Sequence, residues 1–250
     1  MENKKEINAG IIIIGNEILS GRTQDTNTAT LSVWLNSLGI KVQEVRVVPD
    51  IEKTIVDTVN ELRTRFKYVF TTGGIGPTHD DITASSISKA FNLNYGPHKE
   101  AMSILEKYYK PGEFNEGRQK MAWMPTTANL ILNPTSGAPG FNVENVFCLP
   151  GVPSILKSML GGITNKLIGG DPIISQTINL RTVESEIAKS LSKVQDENND
   201  VDIGSYPFFR AGKLGVSVVL RSTDQKKIDK CNDQILKFVK LKDIEILREV

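Results

Sequence analysis

The chain has 250 residues with 30 basic and 29 acidic side chains, and 39% of its residues are hydrophobic. A formal net charge of +1 gives no electrostatic reason to expect binding to nucleic acid or to an anionic membrane. Two cysteines, Cys148 and Cys231, are too few for a disulfide framework or a thiolate metal site. Because the sequence also lacks a signal-peptide pattern and a long apolar run, we expect a cytoplasmic globular protein.

The first part of the chain alternates short apolar runs with segments of helical periodicity. Strands are predicted at Gly10–Ile14, Ile40–Val48, Lys67–Thr72, Leu130–Leu132 and Val146–Leu149. Helices are predicted from near Thr26, from Pro49, over Asp81–Phe91, Pro97–Lys110 and Asn115–Trp123, and from Pro153 to near Leu167. Strands that alternate with helices at this spacing predict βαβ units and a parallel sheet.

A run of small residues and proline, Gly169-Gly-Asp-Pro172, predicts a domain boundary. Beyond it the pattern changes to β-α-β-β-α-β, with strands at 173–180, 202–206, 214–221 and 243–247 and helices at 183–194 and 224–239. The sequence therefore predicts an α/β domain over 1–168, built as three layers around a mostly parallel sheet. A small α+β domain follows over 169–250.

Four glycine- or proline-rich turns follow apolar strands in the first domain: Gly15–Gly21, Gly73–Pro77, Ser136–Gly140 and Pro150–Pro153. In open parallel sheets, ligands bind beyond the carboxyl ends of the strands, where such loops gather. The four turns together therefore predict the rim of a binding pocket.

The most informative turn carries Gly73, Gly74 and Gly76 between a strand and a helix. Such a junction presents backbone N–H groups and the positive end of a helix dipole to a phosphate. Glycine also allows a ligand to approach the backbone closely, so we expect a valine at Gly74 to remove nucleotide binding while leaving the fold largely intact. Asp80 and Asp81 follow at once, and carboxylates beside a phosphate point to a mediating Mg²⁺ ion.

Other polar residues at these turns have simpler interpretations that the sequence leaves open. Glu17 could serve as a turn residue, and Asp25, Asn27 and Asp50 could serve as helix N-caps. The sequence contains neither a Gly-x-Ser-x-Gly nor a P-loop motif. Nucleophilic catalysis is therefore disfavoured, and metal-assisted phosphoryl chemistry remains.

Seven motifs occur in order: Gly15-Asn-Glu-Ile-Leu-Ser-Gly21, Asp25-Thr-Asn27, Val48-Pro-Asp50, Thr71-Thr-Gly-Gly-Ile-Gly-Pro77, Asp80-Asp-Ile-Thr83, Ala138-Pro-Gly140 and Leu149-Pro-Gly-Val-Pro153. This series resembles the molybdopterin-binding (MogA/MoaB-like) domain family. Within it, the chain is most similar to the N-terminal region of CinA proteins and to the molybdopterin-binding-like domain of FAD synthases.

The resemblance implies a metal-dependent pyrophosphatase acting on an ADP-ribose- or FAD-like dinucleotide. It implies catalytic roles for Asp81 and Asp50, and a divalent metal, Mg²⁺ by preference, on Asp80, Asp81 and Glu17. The implied substrate-binding residues are Thr72, Gly73, Gly74, Gly76, Ser136, Gly140, Pro150 and Gly151. A module that binds molybdopterin or a nucleotide without turnover and a molybdopterin adenylyltransferase remain as alternatives.

Two departures from the family pattern bear on that choice. Asn16 stands where the family usually has aspartate, and Ser85 stands where relatives commonly carry an acidic residue. Each removes a carboxylate, so the metal site is the implied feature most in question. Relatives of this kind are commonly oligomeric, and we expect a homo-oligomer, most simply a two-fold dimer.

Overall fold

The computed structural model of the chain describes residues 7–210 and 212–247. They belong to two compact units, Met1–Gly170 and Asp171–Val250. None of the helices in the described residues combines the length and apolar character that a membrane span requires.

The first unit has eight strands and eight helices within the described residues. Its strands are β1 (Asn8–Ile14), β2 (Lys41–Val48), β3 (Tyr68–Thr72), β4 (Tyr95–Pro97), β5 (Trp123–Pro125), β6 (Asn129–Ile131), β7 (Gly140–Val143) and β8 (Val146–Leu149). Its helices are α1 (Asn16–Leu19), α2 (Asn27–Ser37), α3 (Glu52–Arg65), α4 (Thr83–Ala90), α5 (Lys99–Tyr108), α6 (Glu116–Lys120), α7 (Pro153–Met159) and α8 (Gly161–Thr164).

Six of these strands form one sheet in the order β2-β1-β3-β8-β7-β6. Strands β2, β1, β3 and β8 are parallel, whereas β7 is antiparallel to both β8 and β6. Because two reversals restore direction, β6 runs the same way as the parallel strands. The loops that follow β1, β3, β6 and β8 therefore leave the sheet at the same edge.

Strand β1 shows why the sheet has a helical layer on each face. Ile12 and Ile14 belong to one hydrophobic cluster, with residues of α3, α4 and α5. Ile11 and Ile13 belong to another, with residues of α2 and α7. Since successive strand residues point to opposite faces, an uninterrupted isoleucine run requires apolar cover on both sides. The predicted three-layer, mostly parallel arrangement is confirmed.

Several predicted boundaries differ from the structure. The helix expected from Asp81 begins at Thr83, and the helix expected from Pro153 to Leu167 is divided into α7 and α8. Trp123, expected at the end of a helix, lies in β5. The β7 strand and the short β4–β5 pair escaped prediction, because each is only three or four residues long and they contain glycine, proline or asparagine.

The last residues of the first unit are fastened to its body. The Ile168 N–H donates to the Tyr68 hydroxyl at 2.8 Å, and the Gly170 N–H donates to the Leu38 carbonyl at 3.0 Å. A Cβ on Gly169 would overlap that same Leu38 carbonyl oxygen. The segment 168–170 is therefore part of the first unit's packing.

The second unit contains β9 (Ile174–Leu180), α9 (Glu184–Glu197), β10 (Asp202–Arg210), β11 (Lys213–Ser222), α10 (Gln225–Leu241) and β12 (Ile246–Leu247). These strands form an antiparallel sheet in the order β10-β11-β9-β12. The predicted β-α-β-β-α-β order is confirmed. Asp224 begins α10 by accepting the Lys226 N–H at 2.9 Å, as an N-cap aspartate does.

Candidate functional site

The loops at the carboxyl edge of the large sheet enclose a cavity of about 500 Å³, which we call the edge cavity. Eight of the predicted site residues line it: Glu17, Gly73, Gly74, Gly76, Asp81, Ser136, Pro150 and Gly151. Four do not: Asp50, Thr72, Asp80 and Gly140. The loops that follow β1, β3, β6 and β8 all contribute, as their shared direction requires.

The glycine loop after β3 is held by close backbone packing. Gly73 and Gly74 have φ angles of 101° and 65°, which favour glycine. A Cβ on Gly73 would overlap the Ile14 carbonyl oxygen, and one on Gly74 would overlap the Thr83 hydroxyl. The expectation that valine at Gly74 leaves the fold intact is therefore not supported, because its side chain would press on Thr83 at the start of α4 from a strained φ angle.

The same loop offers donors to a ligand. The Gly73 N–H already donates a hydrogen bond to the Leu149 carbonyl at 3.1 Å. Within the described residues, no partner accepts the N–H groups of Gly74, Ile75 and Gly76. Their loop is tied to the start of α4, since the Thr83 hydroxyl donates to the Gly73 carbonyl at 2.9 Å. Unpaired amides beside a helix N-terminus suit an anion.

Asp81 lines the edge cavity and braces the glycine loop. Its Oδ2 accepts the Thr78 N–H at 2.7 Å and also the Thr78 hydroxyl. A Cβ on Gly76 would lie 2.7 Å from the same oxygen. Asp81 is not the N-cap of α4, whose N-cap Ile82 has no side-chain hydrogen bond. Its carboxylate therefore borders both the loop and the space where a ligand would lie.

Asp80 has a different environment from its neighbour. Its side chain is 62% exposed, and the His79 ring lies 4.0 Å from its carboxylate. A hydrogen bond from Thr78, followed by one from its own backbone, lowers the pKa of Asp80 from the ordinary value. The structure leaves it outside the edge cavity, so its metal-binding role is not supported by its position.

Asp50 and Glu17 are both linked to the turn after β1, Glu17 as part of it and Asp50 through a hydrogen bond. Asp50, in the loop that follows the neighbouring strand β2, accepts the Asn16 N–H at 2.8 Å and so fixes the beginning of α1. Glu17 is exposed and folds its carboxylate over Gly15. Glu17 thus lines the edge cavity directly, whereas Asp50 positions the turn that carries it.

The remaining two predicted residues lie within strands. Thr72 is buried in β3, and its hydroxyl accepts from Asn27 Nδ2 at 3.2 Å. Gly140 begins β7, where a Cβ would lie 2.5 Å from the Cys148 carbonyl oxygen of the adjacent strand. Glycine at 140 is explained by strand packing.

Sequence reasoning did not identify Asn133, which shapes the wall that carries Ser136. Its Oδ1 accepts the N–H groups of Thr135 and Ser136, and its Nδ2 donates to the Ser136 hydroxyl at 2.7 Å and the Ala138 carbonyl at 2.9 Å. The signal was available, because an Asn-Pro dipeptide is typical of such a side-chain-stabilised turn.

The edge cavity has an unusual charge pattern for a phosphate site. Its ionisable lining residues are Glu17 and Asp81, and no lysine, arginine or histidine of the described residues lines it. Among the described residues there is also no cluster of three or more histidine, cysteine, aspartate or glutamate side chains suited to a metal. An anionic ligand would therefore need a cation that the ligand itself helps to bind.

Comparisons with known proteins divide along the two units. Residues 10–169 match the family model described as probable molybdopterin binding domain, and residues 172–247 match the FAD synthase middle domain. A protein of Archaeoglobus fulgidus is 34% identical over 225 residues, which cover 90% of this chain and 94% of that protein.

Two solved structures are also similar. The protein CinA of Thermoplasma acidophilum, of unknown function, is 32% identical with a TM-score of 0.59, over 64% of this chain and 98% of that one. The molybdopterin biosynthesis enzyme MoaB of Thermus thermophilus is 18% identical with a TM-score of 0.45, over 64% and 91%. The family resemblance read from the motifs is confirmed.

Proposed function

The chain belongs to the family of probable molybdopterin-binding domains, and from this premise we propose that it hydrolyses the pyrophosphate bond of an ADP-ribose- or FAD-like dinucleotide with a divalent cation. The FAD synthase middle domain matched at 172–247 supports a flavin nucleotide as one candidate substrate. The family name supports a pterin as the competing ligand.

The observation that carries the proposal is the pairing of free loop amides with two carboxylates in one cavity. The N–H groups of Gly74, Ile75 and Gly76 would orient phosphate oxygens through hydrogen bonds. Glu17 and Asp81 would repel the same phosphate unless a cation lay between them. A pyrophosphate with a divalent cation satisfies both sets of groups.

The residues present fit such a cation. Mg²⁺ is commonly bound by one or two carboxylates together with substrate phosphates, which is what Glu17 and Asp81 offer. When bound, it would polarise a phosphate oxygen and lower the pKa of an attacking water. The chain's own part is positional: Asp81 holds the glycine loop through Thr78, and Asp50 holds the turn of Glu17 through Asn16.

Size and lining are consistent with a nucleotide. A volume of about 500 Å³ falls in the range of small-molecule sites. Met121 and Ile155 provide apolar wall beside the polar loops. Such a wall can pack against a ring of the ligand and exclude bulk water from the phosphate end.

The direct test is turnover of purified protein with ADP-ribose, FAD, or ATP plus molybdopterin, each with Mg²⁺ and with EDTA. We expect AMP to be released from ADP-ribose or FAD only when Mg²⁺ is present. Chromatography of the reaction mixture measures the AMP. Pyrophosphate release with ATP plus molybdopterin alone would replace the proposal with adenylyl transfer. No product from any mixture would contradict both enzymatic functions.

One observation favours a second candidate, a binding module without turnover. Asn16 occupies the position where the family usually has aspartate, and its N–H already bonds Asp50. Ser85, the other departure, uses its hydroxyl on the Ile82 carbonyl at the start of α4. Titration calorimetry that shows nucleotide or pterin binding, in protein that makes no product, would support this candidate.

We also propose a homo-oligomer, most simply a dimer, as the working assembly. Light scattering at micromolar concentration measures this directly. A measured mass of 27.6 kDa, which is the mass of one chain, would contradict the proposal.

A further inference from the structure

The edge cavity has more negative charge than one divalent cation balances once a dinucleotide is bound. Glu17 and Asp81 each bring a carboxylate to the lining, and each phosphate group of the dinucleotide brings a further negative charge. Like charges that share a site repel one another. A basic side chain that reached the ligand would therefore stabilise the complex, although none of the described residues of that kind lines the cavity.

Two basic residues stand next to lining residues in the sequence, Arg22 beside Thr23 and Lys120 beside Met121. The Lys120 ammonium donates a hydrogen bond to the Thr78 carbonyl, in the loop that leads from the glycine loop to α4. No printed contact of the described residues places the Arg22 guanidinium in this way. Lys120 is therefore the basic residue that the structure ties to the border of the edge cavity.

Helix α6, which ends at Lys120, packs beside the glycine loop. A Cβ on Gly117 would lie 4.0 Å from the Cβ and from the carbonyl oxygen of Pro77, the residue that follows Gly76. Met121, directly after the helix, lines the edge cavity. Because consecutive Cα atoms are about 3.8 Å apart, the backbone of Lys120 lies beside the cavity wall. Its flexible four-carbon stem then decides which side the ammonium takes.

The bond between Lys120 and Thr78 can be broken without leaving a carbonyl unpaired. The Thr78 carbonyl also accepts the Asp81 N–H at 3.3 Å. It would keep this partner if the ammonium moved away, so the cost of an unsatisfied polar group does not arise. Thr78 also donates its N–H and hydroxyl to the Asp81 carboxylate. The ammonium and the carboxylate that lines the cavity thus share one residue as their partner.

The charge of Lys120 lacks the compensation that its neighbour in α6 has. Arg118 donates to the Glu113 carboxylate at 3.4 Å, and its guanidinium lies 4.2 Å from the centre of the Tyr109 ring. No carboxylate of the described residues forms an ion pair with the half-buried Lys120, which donates to a neutral acceptor. Hydrogen bonds between two charged groups are roughly twice as strong as neutral ones. An arriving phosphate would therefore offer Lys120 a better partner than Thr78.

We propose that Lys120 is a phosphate-binding residue of the edge cavity. Its ammonium rests on the Thr78 carbonyl in the free chain and moves to a phosphate oxygen of the bound dinucleotide. The inference rests on the proposed function for the class of ligand, and it adds a residue that neither the glycine-loop motif nor the cavity lining identifies.

The test is calorimetric titration of the full chain with the α,β-methylene analogue of ADP-ribose in the presence of Mg²⁺. This probe has carbon in place of the bridging oxygen of the pyrophosphate, so binding is measured without hydrolysis. Lys120→Met keeps an apolar stem and removes the ammonium, and it should weaken binding about tenfold or more. Lys120→Arg keeps the positive charge and should retain most of the affinity. Lys120→Gln provides a second charge-removing variant if Lys120→Met does not fold.

The matched control is Lys107→Met, because Lys107 also lies in the last turn of a helix, α5, in the same unit. It is exposed and does not line the edge cavity, so the affinity for the probe should not change. Thermal unfolding of each variant identifies a purely structural role. If Lys120 only ties α6 to the loop, Lys120→Met should melt at a lower temperature and bind the probe as the wild-type chain does.

Unchanged affinity in the folded charge-removing variants, or an equal loss in Lys107→Met, would overturn the assignment. Failure of the wild-type chain to bind the probe would do the same, as would a loss of affinity in Arg22→Gln without one in Lys120→Met. Weakened binding in Lys120→Met, in a chain that releases no AMP from ADP-ribose, would instead contradict the pyrophosphatase alone. The two proposals can thus fail separately.

Discussion

The two units contain the same kinds of residue under different constraints. Gly73 in the first unit and Gly212 in the second both have positive φ angles, of 101° and 75°. A Cβ on Gly73 would overlap the Ile14 carbonyl oxygen, whereas a Cβ on Gly212 would meet no described atom within 4 Å. Gly212 is therefore required only by the φ angle of its turn. Gly73 is required by its φ angle and also by the close packing of the ends of β1 and β3 beside the edge cavity.

Aspartates show the same contrast. Asp81 and Asp224 each accept an N–H three or two residues away, so local chemistry alone makes them alike. Only Asp81 lines the edge cavity. The difference teaches that a turn residue becomes a site residue through its surroundings, and each prediction below pairs one residue from each unit.

The largest effect is expected from Gly73→Ala. Its Cβ would collide with the backbone of β1, the strand between β2 and β3, which cannot move aside. We expect the first unit to lose on the order of 4 kcal/mol or more of stability, against about 1 kcal/mol for Gly212→Ala in the second unit. Both tryptophans, Trp34 and Trp123, lie in the first unit, so their fluorescence during urea unfolding reports that unit.

Circular dichroism at 222 nm follows the whole chain and serves as the control measurement. Equal shifts of the tryptophan transition in the two variants would remove the contrast between the units. Such a result would mean that the loop after β3 can yield without loss of the sheet.

The next effect concerns turnover in Asp81→Asn. The amide oxygen can still accept the Thr78 N–H, so the melting temperature should barely change. The loss of charge in the edge cavity should lower Mg²⁺-dependent hydrolysis about 10²-fold, roughly 2.7 kcal/mol of transition-state stabilisation. Asp224→Asn should hydrolyse at the wild-type rate, and full activity in Asp81→Asn would reduce that residue to a brace of the loop.

The smallest effect depends on pH. Burial raises the pKa of Cys148 from 9.0 to about 12, so the folded first unit keeps a proton that the unfolded chain loses above about pH 9. Stability should therefore be unaffected by this group below pH 9 and fall by about 1.4 kcal/mol per pH unit above it. Tryptophan-detected urea unfolding at pH 8 to 10 measures this slope.

Cys148→Ala should reduce that slope, whereas Cys231→Ala in the second unit should leave the tryptophan-detected slope unchanged. Burial also raises the pKa of Cys231, but its thiol belongs to a different core. An identical slope in wild type and Cys148→Ala would show that other groups govern the alkaline loss of stability.

Local pattern was sufficient for most of the fold. Isoleucine runs such as 11–14 and the glycine loop after β3 have strong, short-range signals, and they predicted the sheet and the edge at which the edge cavity lies. The β7 strand could not be found in this way, because its pairing with β8 passes through a turn with Glu144 at φ 48°, which no glycine announces.

The site was predictable by region more than by residue. Consecutive carboxylates at 80 and 81 are equivalent in sequence, and only the folded loops show that Asp81 lines the edge cavity whereas Asp80 does not. The sequence suggests Asn27 as a helix cap, yet its side-chain amide donates to the Gly151 carbonyl, 124 positions away. Contacts of that range depend on the completed sheet, so no local rule reveals them.

The fastening of residues 168–170 has a practical consequence for dissecting the chain. A fragment that stops at 167 would leave the Tyr68 hydroxyl and the Leu38 carbonyl without the backbone N–H groups of Ile168 and Gly170. It would also uncover the end of α2, against which Gly169 packs. A fragment that contains only the first unit should therefore retain the sequence through Gly170. A shorter fragment would lack these hydrogen bonds and expose the end of α2 to solvent.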